Sequence, residues 1–438
     1  MQVKALPGFR DFYPEEFALR RHIADAWVAV AGRYGFEEYD GPPLEPLELY
    51  TAKSGDEIVD QLYRFTDKGG REVALRPEMT PTLARMVAAR ANGLKKPIRW
   101  FSMPQLFRYE RQQRGRLREH FQLNCDLIGE PGPLGDAEIM ALAIDVMREL
   151  GLTERDVRVR VSDRRLLTVL LSELGLEERH HGLAYQLLDK QGRGESAAIQ
   201  AAAAAAGMPA EFIARLESLK DIRSFADLEG SYPLAAGAGH PLAQAFQALE
   251  SMGLGGFLDL DLTIVRGLAY YTGTVFELFD AGYSLRAICG GGRYDNLLKA
   301  LGGVDLPALG FGMGDVVLSE LLRERQLAPS YSERLDVLLA AVTDADHPFL
   351  PGLAHVLRDA GARVEYPLAP SNLGKQLKLA NARGARFAVL VGPDDRARGE
   401  VILKDLATGA QHSLPQAQLA AHLAALLGAA PSSPAPTT

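Results

Sequence analysis

Residues 98–128 read IRWFSMPQLFRYERQQRGRLREHFQLNCDLI, and they predict a long β-hairpin. The runs 98–110 and 120–128 have the composition of strands, whereas the segment 111–119 between them is polar. We therefore expect two antiparallel strands joined by a loop rich in arginine and glutamine.

The hairpin carries a local excess of positive charge. Between positions 99 and 118 the single acidic neighbour, Glu110, is surrounded by arginines: Arg99, Arg108, Arg111, Arg114, Arg116 and Arg118. A planar guanidinium binds phosphate oxygens in pairs, which favours a polyanion site. A solvated arginine face would explain the same residues.

By residue composition and pattern, the chain divides into three structured parts and a C-terminal tail. Residues 1–163 and 251–328 mix helix and strand signals, beginning with an amphipathic helix at 14–34. Residues 164–250 are rich in Leu, Ala and Glu and predict a mainly helical insertion. Residues 331–427 alternate strand and helix, which predicts a small doubly wound α/β domain. Residues 428–438 read as a disordered tail.

Composition limits the class of protein. The 438 residues carry a formal net charge of -8, which argues against indiscriminate binding of polyanions. No apolar run of about 18 residues occurs and the N-terminus lacks a secretory signal, so we expect no membrane span. The two cysteines, Cys125 and Cys289, have neither metal-ligand spacing nor a disulfide framework, which favours a cytoplasmic location.

Four polar groupings could carry chemistry, and each has an ordinary structural explanation. Glu78 and Thr80 share a side if extended and could bind an ammonium group, or they could cap a helix. Arg108 and Glu110 share a strand face, or form a cross-strand ion pair. Tyr270 and Tyr271 between glycines suggest close backbone approach, although aromatic strands are common. The triplet 290–292, all glycine, suits ligand contact or a plain turn.

Taken together and in order, these motifs resemble those of the histidyl-tRNA synthetase family. The matching segments are GFRDFYP, LRPEMT, FRYERQQRGRLREHFQ, VRGLAYYTGTVFE and GGGRYD, spread over about residues 7 to 427. The resemblance implies an α+β fold: the antiparallel sheet of class II synthetases flanked by helices, with a C-terminal α/β anticodon-binding domain. It also implies ATP, L-histidine and tRNA(His) as substrates, Mg²⁺ with the phosphates, and a homodimer built across residues 14–50.

The resemblance assigns roles residue by residue. Arg108 and Arg266 would act in catalysis, gripping the α-phosphate from opposite sides. The residues that would bind ATP are Arg108, Glu110, Arg116, Arg118 and Arg266. Those that would bind histidine are Glu78, Thr80, Gln122, Asp126, Arg266, Tyr270, Tyr271, Gly290, Gly291 and Gly292. Those that would contact tRNA are Gln113, Arg114, Lys375, Lys378 and Arg383.

Three positions depart from the family's usual text. Asp126 stands where glutamate is usual, so that a water would fill the shorter reach. Ala269 replaces an aspartate, and residues 310–317 lack the Glu-Arg pair whose arginine touches the γ-phosphate. Both of the latter changes resemble a plastid-type branch of the family. Arg116, Arg118 or Arg293 could then contact the γ-phosphate.

Two other functions fit parts of the sequence. The regulatory subunit of ATP phosphoribosyltransferase shares the catalytic fold, but usually lacks the C-terminal domain and two of these motifs. An RNA-binding module would not need Arg108, Glu110 and Arg266. Pyrophosphate exchange that depends on histidine separates both from a ligase.

Overall fold

The structure is a computed structural model that describes residues 4–51, 61–110, 113–190, 196–208, 210–238, 240–265, 270–331 and 335–428. The chain forms two compact units, Met1–Pro329 and Ser330–Thr438. No helix among these described residues is both long and apolar enough to cross a membrane.

The first unit is built on one large sheet. In its described part the strands run in the order β1-β5-β7-β12-β11-β10-β8-β9, and β6 pairs with β7. The strands are β1 Glu37–Glu38, β5 Ile98–Ser102, β6 Gln105–Phe107, β7 Glu119–Ile128, β8 Val157–Asp163, β9 Leu258–Leu260, β10 Thr274–Asp280, β11 Cys289–Arg293 and β12 Ala308–Gly314. All of these pairs are antiparallel except β1 with β5 and β8 with β9. The predicted antiparallel fold is confirmed.

The hairpin of residues 98–128 is present, but its first strand is interrupted. Strand β5 ends at Ser102 and β6 at Phe107, so Arg108 and Glu110 lie beyond the ladder. The amide of Glu110 donates to the carbonyl of Arg108 at 2.8 Å, which turns the chain there. The expectation that a strand carries these two residues is therefore wrong.

One face of the sheet is covered by helices. Helix α4, Pro133–Glu149, is buried along most of its length, and helix α1, Pro14–Arg33, packs beside it. Alternate residues of β7, Leu123, Cys125 and Leu127, point into this core. The intervening residues of β7 face the other side, where the site lies.

Smaller elements complete the first unit. A three-stranded sheet, β2-β4-β3, is formed by Leu44–Pro46, Glu72–Leu75 and Arg64–Thr66, and helices α2 and α3 span Glu48–Thr51 and Thr80–Arg90. After β11 come helices α12, Leu297–Gly302, and α13, Asp315–Glu324.

Residues between β8 and β9 are helical, as expected. Helices α5 to α11 span Arg164–Glu173, His181–Lys190, Ser196–Ala205, Ala210–Ser218, Phe225–Ser231, Pro233–Ala238 and His240–Ser251. Their buried side chains, Leu170 and Leu249 among them, join the core of the first unit. A separate insertion domain with boundaries at 164 and 250 stays a prediction.

The second unit has its own sheet, in the order β14-β13-β15-β16-β17. These strands are β13 Val337–Ala341, β14 Val364–Glu365, β15 Phe387–Val391, β16 Glu400–Asp405 and β17 Gln411–Pro415. Helices α14 to α17 span Leu350–Asp359, Leu373–Ala382, Pro393–Ala397 and Leu419–Gly428. Strand β13 is parallel to β14 and β15, as βαβ units require. The tail expected to be disordered lies, from residue 429 onward, outside the described residues.

Candidate active site

The centre of the large sheet carries a patch of backbone without side chains. In the ladder, Gly310 pairs with Asp126, Gly312 with Asn124 and Gly314 with Gln122. On the other side Gly290 pairs with Gly312 and Gly292 with Gly310. Directly paired residues point to the same face of a sheet. We call this surface the glycine floor; it consists of Gly290, Gly292, Gly310, Gly312 and Gly314 and is bordered by Gln122, Asn124 and Asp126.

The glycines of β12 make room for the polar side chains of β7. A Cβ placed on Gly310 would lie 2.9 Å from the carboxyl carbon of Asp126, and one on Gly312 would lie 2.7 Å from Cδ of Gln122. A larger residue at either position would displace these side chains. Sequence reasoning gave Gly310 and Gly312 no role, although glycine at every second position of 310–314 was a usable signal.

Gly291 does not belong to this floor. A Cβ there would lie 2.6 Å from Cβ of Phe311, on the opposite face, where the core packs. The expectation that all three glycines of 290–292 line the pocket is wrong for Gly291, because neighbouring residues of a strand point to opposite faces.

Aromatic rings wall one side of the floor. The ring atoms of Tyr271 come within 3.0 Å of a Cβ placed on Gly292, and the rings of Tyr270 and Tyr271 lie 5.0 Å apart. The hydroxyl of Tyr270 donates to Glu78 at 3.5 Å. The structure thus brings together Glu78, both tyrosines and Gly292, all of which were expected to bind histidine.

Asp126 stands at the same side of the floor and is almost completely buried. It accepts a hydrogen bond from the hydroxyl of Tyr294. Burial raises the pKa of Asp126 to about 7, against the Tyr294 hydrogen bond, which lowers it. A buried carboxyl group with a strongly shifted pKa marks a candidate ligand-binding position.

Thr80 is the first residue of helix α3 rather than part of an extended segment. The preceding residue, Met79, already has helical backbone angles (φ -96°, ψ -24°), so the period-two argument that placed Glu78 and Thr80 on one side fails. Met79 as the N-cap makes no side-chain capping bond. Glu78 itself is 7% exposed and lies beside the floor.

Arg108 lies next to the Glu78 segment. Its Nε donates to the carbonyl of Pro77 at 2.9 Å, and its backbone amide donates to Arg118 at 3.0 Å. The neighbouring His120 is held neutral, because burial, and then the charges of Arg108 and Arg10, lower its pKa to about 3. Arg108, which is expected to bind the α-phosphate, therefore contacts Pro77, the residue directly before Glu78. Glu78 is expected to bind the ammonium group of histidine.

The loop of the hairpin folds back on itself. Arg116 forms an ion pair with Glu110 at 2.5 Å, and the guanidinium of Arg118 lies 4.1 Å from the centre of the Tyr109 ring. Arg114 pairs with Glu320 and Glu324, at 3.1 and 2.6 Å, and Gln113 accepts a hydrogen bond from Arg286. The expected tRNA contacts Gln113 and Arg114 thus meet the body of the first unit.

Arg293 cannot contact the γ-phosphate as one hypothesis required. It is 1% exposed, and its guanidinium donates to Asp136 at 2.7 Å, to Asp295 at 3.4 Å, and to the carbonyls of Glu130 and Gly132 at 2.8 and 3.0 Å. All the N–H groups of this guanidinium therefore point toward acceptors of the protein itself. The hypothesis for Arg293 is wrong, because this side chain anchors helix α4 to the end of β11.

Arg10 is a residue whose function sequence reasoning missed. It lies in the quoted segment GFRDFYP, and its Nε donates to Glu119 at 2.6 Å while Nη1 donates to Asp315 at 2.9 Å. Both acids are buried. Arg10 therefore joins the N-terminal segment to the beginnings of β7 and α13, which lie side by side because β7 and β12 are antiparallel neighbours.

The described residues do not include two arginines from the sequence analysis. Arg266 and its neighbours up to Ala269, as well as Arg111 in the hairpin loop, lie outside the described residues. The convergence of Arg108 and Arg266 on one phosphorus stays a prediction. In the second unit, Lys375, Lys378 and Arg383 are exposed at helix α15 and its C-terminal end.

An antiparallel sheet of this order, with an arginine-bearing hairpin beside a floor of glycines, is the architecture of the catalytic unit of class II aminoacyl-tRNA synthetases, and the C-terminal α/β unit agrees with that class. A family model described as histidyl-tRNA synthetase matches residues 8–315, and one described as anticodon binding domain matches residues 336–426. The chain belongs to the histidyl-tRNA synthetase family, as its motifs predicted.

Individual relatives agree with this assignment. The chain is 47% identical to a histidine–tRNA ligase of Opitutus terrae, covering 95% of this chain and 97% of that protein. It is 40% identical to a chloroplastic/mitochondrial histidine–tRNA ligase of Arabidopsis thaliana, covering 96% and 86%. Among solved structures, the histidyl-tRNA synthetase of Nostoc sp. PCC 7120 matches with a TM-score of 0.79 at 26% identity, covering 97% of this chain and 99% of that one.

Proposed function

We propose that this family member joins L-histidine to tRNA(His) in two steps, with histidyl-adenylate as the intermediate formed over the glycine floor. The observation that carries the proposal is the register of β7, β12 and β11. It sets the carboxyl of Asp126 and the amide of Gln122 against Gly310 and Gly312, whose missing side chains leave room for these two polar groups at the floor.

Histidine would lie between β7 and the rings of Tyr270 and Tyr271, which we call the tyrosine wall. Glu78 would accept hydrogen bonds from the α-ammonium, with Thr80 nearby at the start of α3. Asp126 would accept from an imidazole N–H and Gln122 would complete the polar border. An amino acid of similar size without these hydrogen-bonding groups would leave one oxygen of the buried Asp126 carboxyl without a donor, which gives strong discrimination.

ATP would lie along the hairpin. In the first step a histidine carboxylate oxygen attacks the α-phosphorus, the bond to the β-phosphate oxygen breaks, and pyrophosphate leaves. Two anions approach each other, so Arg108, and Arg266 from the opposite side, would stabilise the five-coordinate phosphorus. Glu110 would accept from the adenine amino group, and Arg116 and Arg118 would contact the outer phosphates.

Mg²⁺ would enter with ATP. In the part of the chain that the structure describes, no group of three or more His, Cys, Asp or Glu side chains lies together as a metal site would require. Phosphate oxygens of the bound ATP, together with water, would supply most of its ligands, as is common for Mg²⁺ with nucleotides. Its charge would ease departure of the pyrophosphate.

The remaining proposals concern partners. The second unit would bind the anticodon of tRNA through Lys375, Lys378 and Arg383, while Gln113 and Arg114 would also contact the tRNA. A homodimer across residues 14–50 is supported by apolar side chains exposed there, namely Phe17, Val28 and Leu44. A reducing cytoplasm is supported by Cys125 and Cys289, which are both buried and form no disulfide with each other.

Pyrophosphate exchange tests the proposal. The protein should exchange labelled pyrophosphate into ATP with L-histidine and not with other amino acids, and it should then charge tRNA(His). Arg266→Ala should lose exchange by several orders of magnitude while keeping its circular dichroism spectrum. Exchange without histidine dependence would refute the function; exchange by Arg266→Ala within about tenfold of the parent, about 1.4 kcal/mol, would refute the role of Arg266 alone.

A further inference from the structure

Tyr294 follows strand β11 and lies under the tyrosine wall, yet no role has been assigned to it. Its side chain is 3% exposed and belongs to a cluster with Leu83, Val275 and Leu297. Its backbone amide donates to the carbonyl of Ala308 at 2.7 Å, and its ring lies 5.9 Å from that of Tyr270 in an edge-to-face arrangement. The phenol of Tyr294 is thus held in place by the hydrogen bond of its own backbone amide and by the ring of Tyr270.

The hydroxyl of Tyr294 is directed at Asp126. It donates to Oδ1 of Asp126, and no other described residue forms a hydrogen bond with this side chain. Opposite Asp126 stands Gly310, whose missing Cβ leaves the carboxyl group its place. One oxygen of the Asp126 carboxyl therefore accepts the hydrogen bond from Tyr294, and the carboxyl cannot turn away from the glycine floor without breaking that bond.

We propose that Tyr294 is a positioning residue for histidine recognition: its hydroxyl holds one oxygen of Asp126 so that the other oxygen accepts the imidazole N–H. The inference rests on the proposed function, which supplies the ligand. An aspartate has one methylene fewer than a glutamate, so a contact from a fixed neighbour determines the direction in which its short side chain points.

The same hydrogen bond affects the charge of Asp126. Burial raises the pKa of this carboxyl, whereas the Tyr294 hydrogen bond lowers it. Tyr39 and Tyr270 are the other titratable groups facing Tyr294, and burial, with the charge of Asp126 next, raises the pKa of both Tyr39 and Tyr294 well above the usual range. The phenols therefore stay protonated at neutral pH, and Asp126 is the group that titrates.

The test is Tyr294→Phe, with Tyr39→Phe as its matched control. The hydroxyl of Tyr39 is also buried in this region, but it makes no hydrogen bond to Asp126. Tyr294→Phe should raise the KM for histidine in pyrophosphate exchange by about 10- to 100-fold, as expected for a lost hydrogen bond to a charged group. The KM for ATP should change less than about twofold, and Tyr39→Phe should change neither.

The pH dependence separates positioning from a general structural effect. Without the phenol donor, the pKa of Asp126 rises further, so more of the carboxyl is protonated at neutral pH. The ratio of the two KM values for histidine, Tyr294→Phe over the parent, should therefore fall between pH 6.5 and 8.5. Taking this ratio at each pH cancels the titration of histidine itself.

A double-mutant cycle distinguishes loss of the Tyr294–Asp126 contact from a general folding defect of the variant. In the Asp126→Asn background, adding Tyr294→Phe should change the KM for histidine by less than about threefold, because the contact it serves is already altered. Proportional increases in both KM values, a pH-independent ratio, or additive effects in the cycle would each overturn the role of Tyr294. Loss of histidine-dependent exchange by the parent protein would instead refute the proposed function.

Discussion

Nε of Arg116 lies 2.5 Å from Oε2 of Glu110, so a residue expected to bind phosphate neutralises a residue expected to read adenine. The Glu110 side chain is 6% exposed and that of Arg116 41%. A nucleotide would have to exchange this ion pair for contacts of its own: the adenine amino group with the carboxylate, and a phosphate with the guanidinium. The base and the phosphates are then recognised together.

Glu110→Gln should therefore weaken the preference for ATP over GTP. A carboxylate only accepts hydrogen bonds, which suits the amino group of adenine, whereas an amide can also donate to the oxo group of guanine. We expect the KM for ATP to rise about tenfold in histidine-dependent exchange and the ATP-to-GTP preference to fall by a similar factor, which is about 1.4 kcal/mol.

The control for that change is Glu324→Gln. Glu324 pairs with Arg114 of the same loop at 2.6 Å and is more exposed, with 39% of its side chain accessible. This variant should leave nucleotide preference unchanged. Equal losses with ATP and GTP in Glu110→Gln would show that Glu110 does not read the base.

Gly310→Ala should damage the site more than the fold. The added Cβ would meet the Asp126 carboxyl and the carbonyl of Cys125, and backbone cannot move aside inside a paired ladder. We expect histidine-dependent exchange to fall at least about 100-fold, and the free energy of unfolding in urea to fall by about 1–3 kcal/mol.

Gly182→Ala provides the comparison for Gly310→Ala. Gly182 is exposed in helix α6, and a Cβ there meets nothing within 4 Å. This change should keep full activity and stabilise the protein by about 0.5–1 kcal/mol. Near-normal exchange in Gly310→Ala would mean that Asp126 can move without cost, contrary to the role assigned to the glycine floor.

Arg293→Met should affect stability without affecting ATP. Removing the guanidinium leaves Asp136 buried without its charged partner, which costs about 3–5 kcal/mol of unfolding free energy. Arg33→Met, which breaks an exposed pair with Glu149, should leave the free energy of unfolding essentially unchanged. Urea unfolding measures both. If the KM for ATP in folded Arg293→Met rose tenfold or more, the buried guanidinium would have a nucleotide-binding function after all.

The hairpin could be read from the sequence because its signals are local. The strand-like runs around 98–128 and the polar loop between them follow from residue types alone, and so does the βαβ alternation of the second unit. The motifs also identified several of the residues that the structure brings to the floor or beside it, including Gln122, Asp126 and Tyr271.

Features that depend on register or on distant contacts could not be read in this way. Gly290 and Gly291 are chemically identical, yet only the pairing of β11 with β12 assigns one to the floor and the other to the core. Arg293 looks like any motif arginine until helix α4 brings Asp136 against it. Arg10 likewise acquires partners more than a hundred residues away along the chain.

Lys378→Glu should impair tRNA charging and leave adenylation intact. Lys375 and Lys378 are exposed and three residues apart on helix α15, so their ammonium groups lie on neighbouring parts of one surface. Replacing one cation by an anion should raise the KM for tRNA(His) about tenfold and reduce the slope of log KM against log salt concentration by about one. Arg398→Glu changes the charge of the same unit by the same amount, but Arg398 is already engaged by Asp395 and Glu400 at 2.6 and 3.0 Å. It should leave the KM for tRNA within about threefold of the parent value, whereas histidine-dependent pyrophosphate exchange should be unchanged in both variants. Equal effects of the two substitutions on charging would mean that the unit attracts tRNA through its overall charge and that helix α15 makes no specific contact.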